Sequence, residues 1–441
     1  MPTAIEVFKF LPKKNCGKCN YPTCLAFAMQ IANSKAKLED CPFLSDEAKK
    51  QFAASAAPPI RLVKFGSGKN VVEMGDETEL YRHEKKFFHP IAFSLAVSDS
   101  LDEAGVDERL GKATRMTLER VGQTLMLDAI AIKNDSGNPE RFAKTAERVV
   151  SKYDGAIVLV SKDAPAMRTA ASKIVSRVPL LCAADESNFA QMAQVAKELK
   201  CPLVVREERG LNELADLVAK VKGASVEDIV LDLGTRDIKT LLERSSIVRK
   251  VSVKRLFRGL GYPMVVMAGS GEHAVVMGTM ATMKYGSLVV FDELEDSEAL
   301  PLFVLRQNIY TDPQVPIQVK PGIYPVNNPD EKAPILFTTN FSLTYFTVLA
   351  DIEKSRVPAW LLVVDSEGLS VMTAFAAGKL TPEGVAKAIE ASGAKQRSTR
   401  GELIIPGMVT RMSGKLQETT GLKVTVGPKE SSGLPKFLKS L

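Results

Sequence analysis

The cysteines are the residues whose type and spacing most clearly suggest chemistry in this sequence. Four of the six are spaced as C-x2-C-x4-C-x16-C, namely Cys16, Cys19, Cys24 and Cys41. Thiolates this close in sequence can converge on one metal centre, and iron–sulfur clusters are held by such cysteine sets. Zinc sites usually carry two C-x2-C pairs, and the second pair is missing here. We therefore predict an iron–sulfur centre, with a structural zinc or unrelated thiols as alternatives; the spacing does not separate a 4Fe–4S from a 2Fe–2S cluster.

A short helix is predicted to position the third of these cysteines. Thr23 is a suitable N-cap, and apolar residues at helical spacing predict a helix over about 24–37. Cys41 would close the site from the far end of that helix. The other two cysteines, Cys182 and Cys201, lie in or beside apolar runs and are predicted to be buried structural thiols.

The composition argues against several classes of protein. The 441 residues are 45% hydrophobic and 25% charged, as in ordinary globular chains, and predict about two to three domains. No run of about 18 apolar residues occurs, and the charged start does not resemble a signal peptide, so we expect a cytoplasmic protein. The net charge of +6 comes from 58 basic and 52 acidic residues spread along the chain, which gives no reason to expect nucleic-acid binding. Three histidines argue against a multi-histidine metal site.

The central part of the sequence, about 60–310, repeats short apolar runs separated by amphipathic stretches. A stretch of Ala, Ser and Pro at 53–59 precedes it as a predicted linker, and 61–74 is predicted to form a hairpin. Continuous apolar strands alternating with helices indicate a parallel sheet that is covered on both faces. Eight runs predict a (β/α)8 barrel, with an open doubly wound sheet as the alternative. The runs lie at 91–97, 126–132, 155–160, 179–184, 202–207, 228–233, 263–268 and 287–292.

The predicted strand ends of this barrel are polar, as the loops of any such barrel must be. No metal-ligand set and no nucleophile–base pair stands out among them, so we predict no catalytic residue. The run AGSGEH at 268–273 resembles a phosphate loop, but a lone G-x-G is a weak signal, and a tight turn between strand and helix is the favoured interpretation.

The last part of the sequence, about 311–441, again alternates strands and helices. Strands are predicted at 333–340, within the strand and loop of 359–368, at 401–407 and at 422–428, which indicates a small doubly wound α/β domain. Ligands of such sheets bind beyond the carboxyl ends of the strands. The residues there are small, hydroxylated and rich in glycine, which suits either close backbone approach to a large ligand or ordinary loop chemistry.

Together these parts resemble a known family. The motifs CGKCNYPTCLAFA, ILFTTNFSLTYF, DSEGLSVMTAFAAGKLTPE and VGPKESSGLPKFL are similar to the large (gamma) subunit of the corrinoid iron–sulfur protein of the acetyl-CoA (Wood–Ljungdahl) pathway. The resemblance covers essentially the whole chain. It implies an iron–sulfur domain with its linker at 1–57, a TIM barrel at 58–310 and a corrinoid-binding α/β domain at 311–441.

The resemblance implies a methyl carrier within a corrinoid methyltransferase system. A separate methyltransferase would pass the methyl group of methyltetrahydrofolate to the cobalt of a cobamide. The carrier would then hand it to the nickel–iron–sulfur centre of acetyl-CoA synthase. A 4Fe–4S cluster would reduce inactive Co(II) to Co(I), with electrons from a donor such as ferredoxin. A small subunit would complete a heterodimer.

The resemblance also implies which residues hold the two cofactors. Cys16, Cys19, Cys24 and Cys41 would ligate the cluster. The corrinoid would contact Thr339, Asn340, Tyr345, Leu369, Ser370, Val371, Met372, Thr373, Ser432 and Gly433.

The histidine content gives an independent check on this interpretation. Many B12 proteins supply a histidine to cobalt from a D-x-H-x-x-G loop, and no histidine follows His273 here. A cobalt without a strong lower donor is easier to reduce, because axial ligands set the redox potential. Two alternatives stay open, namely a barrel-type pterin-dependent methyltransferase and an electron-transfer subunit without a corrinoid.

Overall fold

The structure, a computed structural model, describes residues 4–32, 35–45, 48–49, 58–81, 84, 87–311 and 315–441. The chain divides into two compact units. The first comprises Met1–Leu80, Phe87–Met116 and Leu127–Ile309; the second comprises Tyr81–Lys86, Thr117–Met126 and Tyr310–Leu441. The domain boundaries drawn from the sequence stay a prediction, and residues 53–57 of the predicted linker lie outside the described residues.

The cysteine region is a small helical cluster built from α1 (Ala4–Phe10) and α2 (Cys24–Ala32). The Thr23 hydroxyl accepts a 3.0 Å hydrogen bond from Ala26 N, which is the predicted N-cap. Helix α2 ends at Ala32 and does not reach position 37 as the sequence predicted. Lys35 N bonds the carbonyl of Gln30 at 2.8 Å, which satisfies a carbonyl in the last turn and turns the chain away.

An antiparallel hairpin follows, as predicted, with strands β1 (Val63–Phe65) and β2 (Val72–Met74). Its buried side chains, Val63, Phe65 and Met74, belong to the same apolar cluster as the inward-facing residues of the barrel. Gly66 N bonds the carbonyl of Val178 and Arg61 N bonds that of Gly261, both just ahead of barrel strands. The hairpin therefore covers the amino-terminal end of the barrel.

Eight parallel strands close into a barrel in the order β10-β11-β12-β3-β6-β7-β8-β9, which confirms the predicted (β/α)8 fold. Ala156 and Val158 face the barrel interior, whereas Ile157 and Leu159 are equally buried on the outer side. Both faces are thus covered, which explains the continuous apolar runs. The strands after the first hairpin are β3 (Ala92–Ser98), the hairpin strands β4 (Thr117–Arg120) and β5 (Gln123–Met126), β6 (Ala129–Lys133), β7 (Ala156–Val160), β8 (Leu180–Ala184), β9 (Leu203–Arg206), β10 (Ile229–Asp232), β11 (Met264–Gly269) and β12 (Leu288–Phe291).

Four of the barrel helices begin at side-chain caps. Asp102, Asn138, Asp163 and Asp237 each accept a hydrogen bond from a backbone N–H of the first turn that follows. None of the described helices combines the length and apolar character needed to cross a membrane. The barrel helices are α3 (Glu103–Arg115), α4 (Pro139–Lys152), α5 (Ala164–Lys173), α6 (Phe189–Leu199), α7 (Leu211–Gly223), α8 (Ile238–Arg255), α9 (Gly271–Met283) and α10 (Asp296–Tyr310).

The second unit contains a five-stranded sheet in the order β13-β15-β14-β16-β17. Its four parallel strands are those predicted, namely β14 (Ile335–Thr339), β15 (Ala359–Val364), β16 (Glu402–Ile405) and β17 (Lys423–Val426). The sequence missed β13 (Gly322–Val326), an antiparallel edge strand whose Pro325 breaks the apolar pattern. The helices are α11 (Ser342–Ser355), α12 (Val371–Ala376), α13 (Pro382–Ser392), α14 (Ala394–Arg397), α15 (Ser413–Thr420) and α16 (Leu434–Lys439).

Each face of this sheet carries its own apolar core. One contains Phe337, Trp360 and Leu362 packed under α12, α13 and α15. The other contains Leu336, Leu361 and the buried residues of α11 and α16. The sheet is thus a central layer between two helical layers, and its strand ends are the places where loops from both layers meet.

Candidate functional site

A cavity of about 440 Å³ lies at the carboxyl ends of β14, β16 and β17 in the second unit. Parallel strands bring their carboxyl ends to one edge of a sheet, which is where ligands of such sheets bind. The volume lies within the range of pockets that bind organic ligands. The wall combines the last strand residues with the first turns of α11 and α12 and with the chain after β17. It includes Thr338, Leu343, Thr344, Thr347, Val348, Ser370, Val371, Met372, Ile405, Met408, Gly427 and Ser431.

Close backbone packing shapes one side of this cavity. A Cβ on Gly407 would lie 2.6 Å from the carbonyl oxygen of Gly427, so only glycine fits where the loops after β16 and β17 meet. Gly407 N also bonds the carbonyl of Pro428 at 3.0 Å. These contacts fix the end loop that carries Ser431 into the wall.

The rim of the cavity is apolar and open to solvent. Leu343 is 59% exposed, Met372 48% and Met408 45%, and all three belong to the cavity wall. Exposed apolar side chains grouped around a concave site are typical of a surface that a ligand or partner covers. The apolar surface therefore includes both the inside of the cavity and the exposed rim around its opening.

Two buried hydroxyl groups at the carboxyl end of β14 have no hydrogen-bond partner within the described ranges. They are Thr338 Oγ1 and Thr339 Oγ1, on residues that are 1% and 0% exposed. Leaving a hydroxyl buried and unpaired costs about 1–3 kcal/mol. Because Thr338 lines the cavity, a bound ligand could supply the missing partner.

The predicted corrinoid contacts divide into two groups. Ser370, Val371 and Met372 line the cavity as a continuous segment. Ser432 and Gly433 form a 3-10 turn with the lining residue Ser431.

Apart from Thr373, which is exposed, the remaining predicted contacts are packed inside the domain. Asn340 is buried and hydrogen-bonded to neighbouring loops, and Leu369 packs against the core on one face of the sheet. Thr373 Oγ1 lies 2.9 Å from Ser370 Oγ. Tyr345 packs edge-on against Tyr324 at 5.4 Å between ring centroids, and burial raises the pKa of the Tyr345 phenol.

The part of the wall formed by α11 was not predicted from the sequence. Leu343, Thr344, Thr347 and Val348 lie there, whereas the sequence pointed to Tyr345. The one signal that could have found them is Leu343, an apolar residue in the first turn of a helix that follows a buried strand.

The cysteine region shows the type of ligands a cluster needs. Cys24 and Cys41 are buried in one apolar cluster, Cys19 packs against it, and Cys16 is exposed. Within the described part of the chain, no three His, Cys, Asp or Glu side chains lie close enough to hold a metal ion. Thiols are the type of ligand that an iron–sulfur cluster needs, but in the structure the four do not lie close enough together to form one ligand set. Their ligation stays a prediction.

The mouth of the barrel contains a second cavity, of about 520 Å³, with charged walls. Lys133 Nζ lies 3.3 Å from Asp292 Oδ1, and Arg109 pairs with Glu293. Further round the mouth, Asp232 is 5% exposed and burial raises the pKa of its carboxyl. These cations and acids face one another as ion pairs.

Comparison with known proteins gives the family. Residues 62–438 match the family described as CO dehydrogenase/acetyl-CoA synthase delta subunit, and residues 11–43 match a second family described as "Putative Fe-S cluster". The barrel and the α/β unit therefore fall in one match and the cysteine region in another.

Full-length relatives extend this result. The corrinoid/iron–sulfur protein large subunit of Moorella thermoacetica is 40% identical over 99% of this chain and 98% of its own length. The acetyl-CoA decarbonylase/synthase complex subunit gamma of Methanothermobacter thermautotrophicus is 36% identical over 100% of this chain and 99% of its own length. Among solved structures, 7,8-dihydropteroate synthase from Vibrio fischeri aligns with 57% of this chain and 99% of its own chain. The sequence identity is 14% and the TM-score 0.39, so this similarity supports no argument about function.

A protein that joins a cysteine module, a (β/α)8 barrel and a small α/β sheet belongs to the class of multidomain α/β proteins. Within that class, the chain belongs to the family of corrinoid/iron–sulfur protein large subunits and acetyl-CoA decarbonylase/synthase gamma subunits. The family resemblance predicted from the sequence is confirmed.

Proposed function

We propose that this chain is the large subunit of a corrinoid iron–sulfur protein and carries methyl groups in the acetyl-CoA pathway. The observation that carries the proposal is the 40% identity, over 99% of the chain, to a protein of that name. The cysteine region and the strand-end cavity supply one candidate site for each of the two cofactors in the name.

Cys16, Cys19, Cys24 and Cys41 would hold a 4Fe–4S cluster, and the strand-end cavity would hold the cobamide. When bound, the cluster supplies single electrons and the cobalt supplies the centre that carries the methyl group. The chain's own residues provide the surroundings. The apolar rim at Leu343, Met372 and Met408 would exclude water from one side of a large ligand.

The hydroxyl groups of the cavity would orient that ligand. The unpaired hydroxyl of Thr338 and those of Ser370 and Ser431 line the wall. Residues 311–441 contain no histidine, so this domain offers no imidazole to a metal in the cavity. A methyl carrier that must reach a strongly reduced state is served by such a weakly donating environment.

The proposed role requires several partners. A small subunit would cover the exposed rim, and a separate methyltransferase acting on methyltetrahydrofolate would load the carrier. Acetyl-CoA synthase would unload it at its nickel–iron–sulfur centre. A donor such as ferredoxin would supply electrons to the cluster to restore Co(I) from Co(II).

Metal analysis of the full chain tests the proposal. The chain is purified anaerobically, alone and with its small subunit in the presence of a cobamide. Iron, sulfide, cobalt and zinc are then measured with a visible spectrum. We expect about four irons and one cobalt per chain. Cys19→Ala should lose iron and keep cobalt, whereas Cys201→Ala, a buried thiol outside the module, should keep both.

The same measurements separate the alternatives. Iron without cobalt would overturn the methyl carrier and leave an electron-transfer subunit. Zinc in place of iron would overturn the redox role of the cysteines. A bound pterin with methyl transfer by the isolated chain would favour a barrel-type methyltransferase.

A further inference from the structure

Asn340 is the first residue after β14, beside the strand-end cavity, and it is 1% exposed. Its side-chain oxygen accepts three hydrogen bonds from the loop that follows β15. The donors are Ser366 N at 3.0 Å, Ser366 Oγ at 2.8 Å and Gly368 N at 3.1 Å.

The side-chain nitrogen of Asn340 is also fully used. It donates to Asp365 Oδ1 at 2.9 Å and to Gln318 Oε1 at 3.1 Å. A carboxamide has two N–H donors and one carbonyl oxygen with two lone pairs. Both donors of Asn340 and its oxygen are therefore occupied within the domain, and no hydrogen-bonding capacity is left for a ligand.

The loop that Asn340 holds adopts a conformation with little stability of its own. Glu367 and Gly368 have left-handed φ values of 57° and 75°. A non-glycine residue in that region costs about 1 kcal/mol. The chain then leads directly into Ser370–Met372, which line the cavity. The side-chain hydrogen bonds of Asn340 thus link the end of β14 to the loop that leads into this part of the wall.

We infer that Asn340 is a positioning residue of the ligand site and not a ligand contact. Its carboxamide holds the 365–368 loop so that Ser370–Met372 face the cavity. This changes the role that the family resemblance implied for Asn340. The identity of the ligand, a cobamide, rests on the proposed function.

The test measures cobamide binding to the full chain by its visible spectrum, together with the thermal unfolding midpoint without ligand. Asn340→Ala should raise the cobamide Kd about tenfold, because the wall loses its anchor while every side chain of the wall remains. Ile389→Val is the control. Ile389 is buried in the core on α13, so this change should lower the unfolding midpoint and leave the Kd unchanged.

A charge swap distinguishes positioning from direct contact. Asn340→Asp places a second carboxylate 2.9 Å from Asp365 Oδ1 and should also weaken binding. Adding Asp365→Asn restores a donor–acceptor pair between the two residues. If Asn340 positions the loop, the double variant regains most of the affinity.

Three results would overturn the inference. Unchanged affinity in Asn340→Ala would show that the anchor is dispensable. A double variant as weak as Asn340→Asp would mean that the Asn340 amide touches the ligand itself. A wild-type chain that binds no cobamide would refute the proposed function and this inference with it, whereas the first two results leave the proposed function intact.

Discussion

The side-chain oxygen of Asn15 accepts a 2.8 Å hydrogen bond from the backbone N–H of Cys24. This bond joins the loop that carries the exposed Cys16 to the first turn of α2. Asn15 itself has a left-handed φ of 45°, which asparagine tolerates better than most residues. One side chain thus sets both the direction of the loop and its distance from the buried Cys24.

Replacing Asn15 should loosen the cysteine loop without removing a thiol. Asn15→Ala loses a bond worth about 1 kcal/mol, so iron should pass to a chelator about fivefold faster than from the wild-type chain. Asn15→Asp keeps the acceptor and should release iron at close to the wild-type rate. The measurement is anaerobic iron release followed by absorbance. Equal rates for Asn15→Ala and the wild type would contradict the proposed link.

Removing the hydroxyl of Thr338 should increase the stability of the ligand-free chain and weaken ligand binding. Thr338→Val removes an unpaired buried hydroxyl from a nearly isosteric side chain, so the ligand-free chain should be about 1 kcal/mol more stable. Cobamide binding should weaken about fivefold, because the ligand would lose the hydrogen bond proposed for this hydroxyl. Denaturant unfolding and spectral titration measure the two effects. A variant that is both less stable and unchanged in affinity would show that the hydroxyl serves the fold alone.

The buried carboxyl of Asp232 predicts a dependence of stability on pH. Burial raises its pKa in the folded state, although Arg206 Nε lies 3.7 Å away. A group with a raised folded-state pKa favours the fold while protonated, and this contribution is lost as the pH rises through that pKa. Asp232→Asn should therefore be more stable than the wild type at pH 7. The difference should shrink as the pH is lowered.

Unfolding in denaturant at several pH values measures this difference. The bond from Gly234 N at 2.9 Å can be kept by an asparagine oxygen, so the substitution changes mainly the charge. A less stable variant at pH 7 would mean that the pairing with Arg206 outweighs the cost of burial.

The hairpin below the barrel should contribute strongly to stability. Phe65 is fully buried and packs with the inward-facing residues of the barrel, so Phe65→Ala should cost about 3–5 kcal/mol. Lys64, on the exposed face of the same strand, pairs with the partly exposed Glu73. Lys64→Ala should change stability by less than about 1 kcal/mol. Similar small losses in both variants would show that the hairpin does not seal the barrel.

The barrel could be predicted from the sequence because its signal is local. A strand such as β7 is apolar at every position, and the run repeats at regular intervals along the chain. The edge strand β13 gave no such signal, because Tyr324 is only half-buried and Pro325 is exposed. Pairing with β15 on one side is enough to form it, and that pairing lies far along the sequence.

The site could be predicted only in part. Ser370–Met372 follow a strand end, where the sequence predicts ligand-binding residues, and in the structure they line the strand-end cavity. Tyr345 and Thr344 are neighbours in sequence but differ by about 100° around the helix, so a motif does not tell which one faces the cavity. The role of Asn340 depends on hydrogen bonds to Gln318 and Asp365. Residue types alone do not show that every donor and acceptor of a carboxamide is already occupied within the domain.

The hairpin at the amino-terminal end of the barrel has a consequence for solvent. Because Val63, Phe65 and Met74 fill that end, we expect water to reach the barrel interior from the carboxyl-terminal side. The two rims of the barrel should then differ in hydrogen exchange. Amides near the hairpin should exchange only through large-scale unfolding, whereas those near Lys133 and Asp292 should exchange through small local openings. The two ends of the barrel should therefore differ in hydrogen exchange, although its strands are similarly apolar.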